Sequence, residues 1–309
     1  MAKPGDTKSY LYWAEQYDGD EHQSKTASHF PEEILKALRT NDIASLEPLI
    51  NQDNINKKDS GFDKTPLMMA ASAKVTPETI TEKINLINFL LTKGADIHIK
   101  DYDGKTAFMI ASENGNKAIL ESLLEHQKEG EDIINAQDSN SLTALMHAAL
   151  NGHTETVSFL IDKGADIHIT TLNGKTALMF AAENGHLNVV KSLINRSLKL
   201  NTPISQTGTQ YINLKSKNGE SALVLANKRK KNDVVKLLLE TPEIQVDENF
   251  ELPVDADPMA KLNLQIRTQT NQAFKTHAPK KRWPWGGKKS TKKQQKGGKK
   301  SHKKQRKQN

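Results

Sequence analysis

The sequence of 309 residues contains no cysteine and few aromatic residues. Without cysteine, the chain forms no disulfide, no Cys-ligated metal centre and no thiol nucleophile. Aromatic residues make up 5% and hydrophobic residues 36%, which favours a thin, surface-rich architecture, or a folded part diluted by disorder, over one large core. No apolar run approaches the ~18 residues of a membrane helix, and the first 30 residues lack the apolar segment of a signal peptide. We therefore expect a protein of the cytoplasm or nucleus.

Acidic residues are absent from the C-terminal part of the chain. Residues 275–309 contain 15 Lys or Arg and no Asp or Glu, and the last acidic residue is Asp257. Residues 1–274 carry a net charge of −8, although the whole chain carries +7. Residues 275–309 are thus predicted to form a disordered Lys/Arg-rich tail, which lacks the apolar residues of a core.

Three partners suit this basic tail. Lys280, Lys281 and Arg282 resemble a nuclear import signal, which an import receptor would bind. Nucleic acid attracts such charge through counterion release, and Trp283 and Trp285 could stack on bases. An anionic membrane attracts lysines flanked by tryptophan as well. A fourth interpretation is a solubilising tail without a defined partner.

Residues 1–31 are predicted to be mostly disordered, with one aromatic motif. Tyr10, Trp13 and Tyr17 fall at helical spacing. They could pack on the outer face of the first folded unit or form a helical docking motif. We favour packing, because that outer face needs a cover.

Residues 65–227 contain five similar segments, of which Thr143-Ala-Leu-Met is typical. Their first residues, which lie 41, 37, 33 and 45 residues apart, are Thr65, Thr106, Thr143, Thr176 and Ser221. A pair of Ile and His or Asn precedes the later segments by a constant interval, as at His98, Asn135, His168 and Asn213. Constant boundaries with variable interiors indicate stacked units that carry loop insertions, here near residues 75–82 and 197–211.

Each unit is predicted to form a helix, a turn, a second helix and an extended loop. In the unit that begins near residue 171, Thr176 can cap the first helix and Gly185 can end it. The second helix then presents an apolar face that consists of Val189, Val190, Leu193 and Ile194. Two such helices cannot bury their apolar faces alone, so the units must stack.

These motifs resemble the ankyrin repeat family. The best copies carry Asn151-Gly152-His153 and Gly164-Ala165-Asp166, and the 33-residue spacing is the unit length of that family. The resemblance implies an all-α, ankyrin-type α-solenoid over residues 32–247. We number its six expected units 1 to 6: 32–59, 60–100, 101–137, 138–170, 171–216 and 217–247. Residues 248–274 are expected to form a linker or a capping helix.

The resemblance also implies a binding surface and a function. Ankyrin arrays bind partner proteins through a concave surface of turn tips and first helices. The matching positions in this sequence are Phe62, Tyr102, Asp103, Lys105, Leu142, Leu150, Leu172, Lys175 and Glu183. Apolar residues at such tips have no evident core to enter, so we expect one contiguous patch that contacts a partner protein. A monomeric interaction scaffold is the function that this resemblance implies.

The sequence offers no candidate for catalysis, a cofactor or a metal. There is no G-x-S-x-G motif and no H-E-x-x-H spacing. Gly104-Lys105-Thr106 copies the end of a phosphate-binding loop, but Ile99 stands where that loop needs glycine. His147 is expected to be packed or hydrogen-bonded within a first helix. Two alternatives remain: a nucleic-acid-binding protein acting through the tail, and an effector that an intracellular bacterium exports into a host cell.

Overall fold

The computed structural model describes residues 30–277 except 74–75, 129, 131, 200–206, 242–243, 248–249 and 253–256. The described residues contain helices and turns but no strand. In chain order the helices are α1 (Glu32–Thr40), α2 (Ile43–Leu46), α3 (Pro66–Ser72), α4 (Ile80–Thr92), α5 (Ala107–Glu113), α6 (Lys117–Glu125), α7 (Ala144–Leu150), α8 (Thr154–Asp162), α9 (Ala177–Asn184), α10 (Leu187–Lys199), α11 (Thr207–Ile212), α12 (Ala222–Lys228), α13 (Asn232–Glu240) and α14 (Pro258–His277).

The first helices of units 2 to 6 begin at the expected hydroxyl caps. Each capping side chain accepts a hydrogen bond from the backbone N–H three residues later, at 3.3–3.4 Å. This bond satisfies an amide that has no partner within the helix. The capping residues are Thr65, Thr106, Thr143, Thr176 and Ser221. At the other end of α9, Gly185 adopts φ 84° and terminates the helix, in a conformation that suits glycine.

The helices form two layers. First helices α3, α5, α7, α9 and α12 pack against one another in sequence, and so do second helices α4, α6, α8, α10 and α13. Ala111, Ala148, Ala181 and Ala226 are fully buried in the first layer, where small side chains allow close approach. The hydrophobic core therefore runs through the whole stack, as expected of an ankyrin-type α-solenoid.

Replacing Ala181 by Leu is expected to lower the free energy of unfolding by about 1–3 kcal/mol, because α9 lies between α7 and α12 without room for a larger side chain. Thermal or urea unfolding measures the change. Ala44→Leu is the control, because Ala44 is exposed on α2 and should shift stability by no more than about 0.5 kcal/mol. Equal effects of the two variants would contradict this packing.

Neighbouring units are also joined by a repeated hydrogen bond between loops, which we call the loop ladder. Asn56 Oδ1 accepts from the N–H of Asp96 at 2.8 Å, and Asn135 Oδ1 accepts from Asp166 at 2.9 Å. Asn213 Oδ1 accepts from Gln245 at 2.7 Å. At the junctions of units 1 and 2, 3 and 4, and 5 and 6, the side chain of one unit thus holds the backbone of the next and helps to set their spacing.

Two regions depart from the regular unit. In unit 1, α2 ends at Leu46, two residues before Pro48, which cannot continue a hydrogen-bonded helix. In unit 5, α10 extends to Lys199 and the short helix α11 follows the undescribed residues. Tyr211 of α11 is buried and stands edge-on to the ring of His168, with 5.3 Å between the ring centroids. The end of this insertion therefore contributes to the core.

The chain after unit 6 covers the end of the array. Asn227 of α12 donates its side-chain amide to the carbonyl of Glu251 at 2.8 Å. Next, α14 packs against α13, with Ala260 buried between them. The guanidinium of Arg267 donates to the carbonyls of Leu239 and Glu240, at 3.2 and 3.4 Å. A cation is favourable at these last carbonyls of α13, where the helix dipole is negative.

Candidate partner-binding surface

The turns that precede the first helices form a row, which we call the tip row: residues 59–65, 101–106, 138–143, 171–176 and 216–221. Backbone hydrogen bonds connect three pairs of adjacent tips. The carbonyl of Phe62 accepts from the N–H of Tyr102 at 3.0 Å, and that of Asp103 accepts from Ser139 at 3.0 Å. Asn173 accepts from Lys217 at 2.9 Å. These bonds hold the side chains of neighbouring tips at a set separation.

An aspartate shapes several of the tips from within. Asp101 Oδ1 accepts from the N–H groups of Asp103 and Lys105, at 3.0 and 2.8 Å. Asp138 makes the same pair of bonds in unit 4, at 2.8 and 2.9 Å. A side chain that satisfies two turn amides stabilises the turn and limits its motion. The spacing of Asp101 and Asp138, each five residues before a capping threonine, is the sequence signal for this role, and it was missed.

Three large apolar side chains project from the tip row. Tyr102 is 77% exposed, Leu172 61% and Phe62 50%. Phe62 and Tyr102 lie on adjacent tips that share a hydrogen bond, and the ammonium of Lys64 lies 5.7 Å from the centroid of the Phe62 ring. Leu172 lies two tips beyond Tyr102.

Ion pairs occupy the positions that flank the first helices. Lys105 Nζ lies 2.8 Å from Glu113 Oε2, and Lys175 Nζ lies 2.6 Å from Glu183 Oε2. Each pair joins the residue before a cap to a residue eight positions later. Arg229 of unit 6 adds a second cation at 2.9 Å from Glu183. Burial by itself would raise the pKa of Glu183, but hydrogen bonds from Lys175 and Arg229 hold that pKa below its ordinary value.

The comparison with known families decides what this stack is. A model for ankyrin repeats matches residues 34–128, 79–171, 129–204 and 159–251, which together cover most of the chain. The chain belongs to the ankyrin repeat family. Its helix pairs, capped first helices and tip row are the repeating parts of that fold.

Relatives of this ankyrin repeat protein include proteins with very different names. Alpha-latrocrustotoxin-Lt1a of Latrodectus tredecimguttatus is 32% identical over 34% of this chain and 8% of its own length. The nuclear factor NF-kappa-B p105 subunit of Gallus gallus is 25% identical over 49% of this chain and 14% of its own. NAD-capped RNA hydrolase NUDT12 of Macaca fascicularis is 41% identical over 20% of this chain and 13% of its own. The match thus spans less than a third of each relative.

The structure corrects the expected continuous apolar patch at Leu142. This ankyrin tip buries Leu142, which is 3% exposed and belongs to the core, and Leu150 packs partly against that core. The two leucines occupy the positions of Lys105 and Glu113 in the preceding unit, so an apolar pair replaces an ion pair. Without a charged head group, Leu142 turns inward. Ser139 therefore separates Tyr102 from Leu172 along the tip row.

The charged residues that we expected at this surface are also partly corrected. Asp103 is exposed, whereas Lys105 and Lys175 are half-buried in their ion pairs. Glu183 is buried and bound by two cations, which makes it a link between units 5 and 6 rather than a contact for a partner. This link exists because unit 6 has Arg229 at the position that Asn184 occupies in unit 5.

Asp138 and Asp101 occupy equivalent positions in two ankyrin units but face different residues. Asp138 Oδ2 lies 2.9 Å from His147 Nε2, whereas unit 3 has Ile110 at the position of His147. Burial favours a raised pKa at Asp138, but the hydrogen bond to His147, its charge and the turn amides together lower that pKa. At Asp101, burial raises the pKa. His147 is thus hydrogen-bonded to Asp138 within unit 4, as expected.

Other features of the described residues bear on what the array can do. In the described part of the chain, no cluster of three or more His, Asp or Glu side chains has the arrangement of a metal site. Among the described helices, none combines the length and apolarity required to cross a bilayer. The predicted tail residues Lys280, Lys281, Arg282, Trp283 and Trp285 and the N-terminal aromatic motif lie outside the described residues.

Proposed function

We propose that this ankyrin array binds a partner protein through its tip row, with Phe62 and Tyr102 as the main anchors. The observation that carries the proposal is the exposure of two adjacent aromatic side chains on tips that a backbone hydrogen bond connects. Aromatic residues dominate the energetics of many interfaces, because they bury a large area with few rotatable bonds. The connected tips reduce the conformational entropy that binding would cost.

Leu172 would form a second contact, separate from the aromatic pair. The tip between them presents Ser139 and Asn140, which are both exposed and polar. Asp103 lies exposed beside Tyr102, and Lys105 and Lys175 keep part of their surface in solvent. This arrangement fits a partner with two apolar contacts that flank a polar segment, as in the core and rim of ordinary interfaces.

The proposed role is binding without catalysis. The ionisable groups beneath the tip row are held in ion pairs or turns: Glu113 and Glu183 by lysines, and Asp138 by His147. These contacts keep the groups charged and fixed, which suits a scaffold. The toxin, the nuclear factor subunit and the RNA hydrolase carry similar repeats, and this fits a shared scaffold that serves different proteins.

The double substitution Phe62→Ser and Tyr102→Ser tests this surface. Proteins retained by the immobilised full chain would be identified, and their affinity for each variant measured by calorimetry. We expect the double variant to bind at least about 30-fold more weakly, since two central anchors are lost. Leu172→Ser should weaken binding less.

The control variant Leu262→Ser/Ile266→Ser removes two exposed apolar side chains from α14, far along the chain from the aromatic tips. It should bind the same partner as the wild type does. Unfolding curves should match for all variants, because the five replaced side chains are exposed. A partner that binds the Phe62/Tyr102 variant with wild-type affinity would refute the assigned surface.

We also propose that the basic tail binds an anionic partner or an import receptor. The 15 Lys or Arg after residue 274 support electrostatic attraction, and Lys280, Lys281 and Arg282 support recognition by an import receptor. In this proposal the array determines the partner protein, and the tail determines where in the cell the complex lies.

A further inference from the structure

The last helix, α14, has two distinct faces. The inner face contacts α13: Ala260 is buried, Leu264 packs partly against the core, and Arg267 binds the last carbonyls of α13. The outer face presents Met259, Leu262 and Ile266, each 47–48% exposed. Arg267 anchors α14, so the orientation of these two faces is set by the array.

The three outer side chains form a single stripe, which we call the α14 stripe. Their spacings of three and four residues place them on one side of the helix, over a length of about 10 Å. At 100° per residue, the stripe lies about 150° around the helix axis from Ala260 and Leu264. The stripe therefore faces away from the unit that α14 covers.

The charged residues of α14 and of the tail that follows it are all of one sign. No acidic residue follows Asp257, so α14 contains Lys261, Arg267 and Lys275 but neither Asp nor Glu. The Lys/Arg-rich tail follows without a break and includes Trp283 and Trp285. An exposed apolar stripe is thus joined directly to a strongly cationic segment.

We propose that the α14 stripe and the basic tail together bind an anionic lipid surface. The stripe would lie in the plane of the membrane and enter the region between head groups and acyl chains, as apolar helix faces do. The tail lysines would be drawn to acidic head groups, and tryptophan is favourable at the same depth. This inference rests on the tail component of the proposed function and leaves the tip row unaffected.

The stripe is the feature that selects lipid over other anionic partners. Nucleic acid would neutralise the tail lysines through its phosphates and stack on tryptophan, but it offers no apolar phase to Met259, Leu262 and Ile266. A lipid surface offers acidic head groups to the tail lysines and an apolar phase to the α14 stripe. A single short apolar stripe binds weakly alone, and stable attachment needs a second contribution, which the adjacent positive charge supplies.

The test is sedimentation of the full chain with vesicles of phosphatidylcholine, with and without about 30% phosphatidylserine. We expect binding only to the anionic vesicles, and weaker binding as salt rises through about 150 mM. Met259→Ser/Leu262→Ser/Ile266→Ser keeps the net charge and removes the stripe, and it should reduce vesicle binding at least about fivefold. Gln265→Ser, at an exposed polar position of α14, should bind as the wild type does.

A second ligand separates the two anionic classes. Binding of a single-stranded RNA, followed by fluorescence anisotropy, should be the same for the triple variant and the wild type, because both carry the same charge. Wild-type vesicle binding by the triple variant would overturn the proposal, as would binding to RNA but not to anionic vesicles. Since the Phe62→Ser/Tyr102→Ser variant should bind vesicles normally, failure here is distinguishable from failure of the tip-row proposal.

Discussion

Gly104→Ala is expected to lower the free energy of unfolding by about 2–4 kcal/mol, the sum of backbone strain and a steric conflict. Gly104 has φ +78°, and a Cβ atom there would lie 2.5 Å from Ser139 Oγ and 2.6 Å from Ser139 N. The backbone of Ser139 cannot retreat without losing its hydrogen bond to Asp103. Urea unfolding would measure the loss.

Gly219→Ala is a matched control for this substitution. Gly219 occupies the same position in the last tip and has φ +75°, but no atom lies within 4 Å of its Cβ position. The control should therefore lose only the strain contribution, about 1–2 kcal/mol. If both variants were destabilised equally, contact between tips would contribute nothing to the need for glycine.

His147→Ile is expected to cost about 2–4 kcal/mol at neutral pH, since it leaves a buried carboxylate oxygen of Asp138 without its partner. The substitution copies unit 3, where Ile110 stands near Asp101. In the variant, burial should raise the pKa of Asp138 above its ordinary value, whereas in the wild type that pKa is lowered. Carboxyl NMR titration measures this reversal directly.

The pH dependence of stability gives a second measurement for His147→Ile. The lowered pKa of Asp138 adds stability that is present above the unfolded-chain value, about 3.9, and is lost as pH falls through the folded value. In the variant, the raised pKa of Asp138 would instead add stability that is present below about 3.9 and is lost as pH rises through the folded value. The stability difference between the two proteins should therefore narrow with acidification. An unchanged titration of Asp138 would contradict the role of His147, and Ile110→His should lower the pKa of Asp101.

The repeat fold could be predicted because its determinants are local. Each capping residue, each apolar helix face and each Asn-Gly or similar turn reports on the few residues around it. Recurrence then gives the stack, since an isolated helix pair cannot bury its apolar face. Thr176 and Gly185 illustrate this: both act in the structure at the positions that the sequence indicates.

Side-chain direction at the surface could not be predicted in the same way. The spacing of the repeats places Leu142 at a tip, but its side chain is buried in the core. Leu150, eight residues later, replaces the glutamate found at Glu113 and Glu183 and packs partly against the same core. The replacement of both the lysine and the glutamate by leucine, at positions eight residues apart, was the sequence signal that could have revealed the burial of Leu142. The role of Glu183 depends on Arg229 in the next unit, a contact that no local pattern contains.

The direction of α14 shows the same limit. Helical spacing identifies an apolar stripe at Met259, Leu262 and Ile266, but Ala260 and Leu264 offer a second, smaller apolar side. The structure buries the smaller side because Arg267, next to it, binds the end of α13. The side of α14 that packs on α13 is therefore the one next to Arg267, although its apolar residues are smaller.

The loop ladder has a mechanical consequence. Its bonds join units 1 and 2, 3 and 4, and 5 and 6, so they reinforce alternate junctions of the stack. When the two ends of the stack are pulled apart, all junctions carry the same force in series, and the weakest junction opens first. The array should therefore lengthen stepwise under tension and act as a compliant spring between partners attached to its two ends.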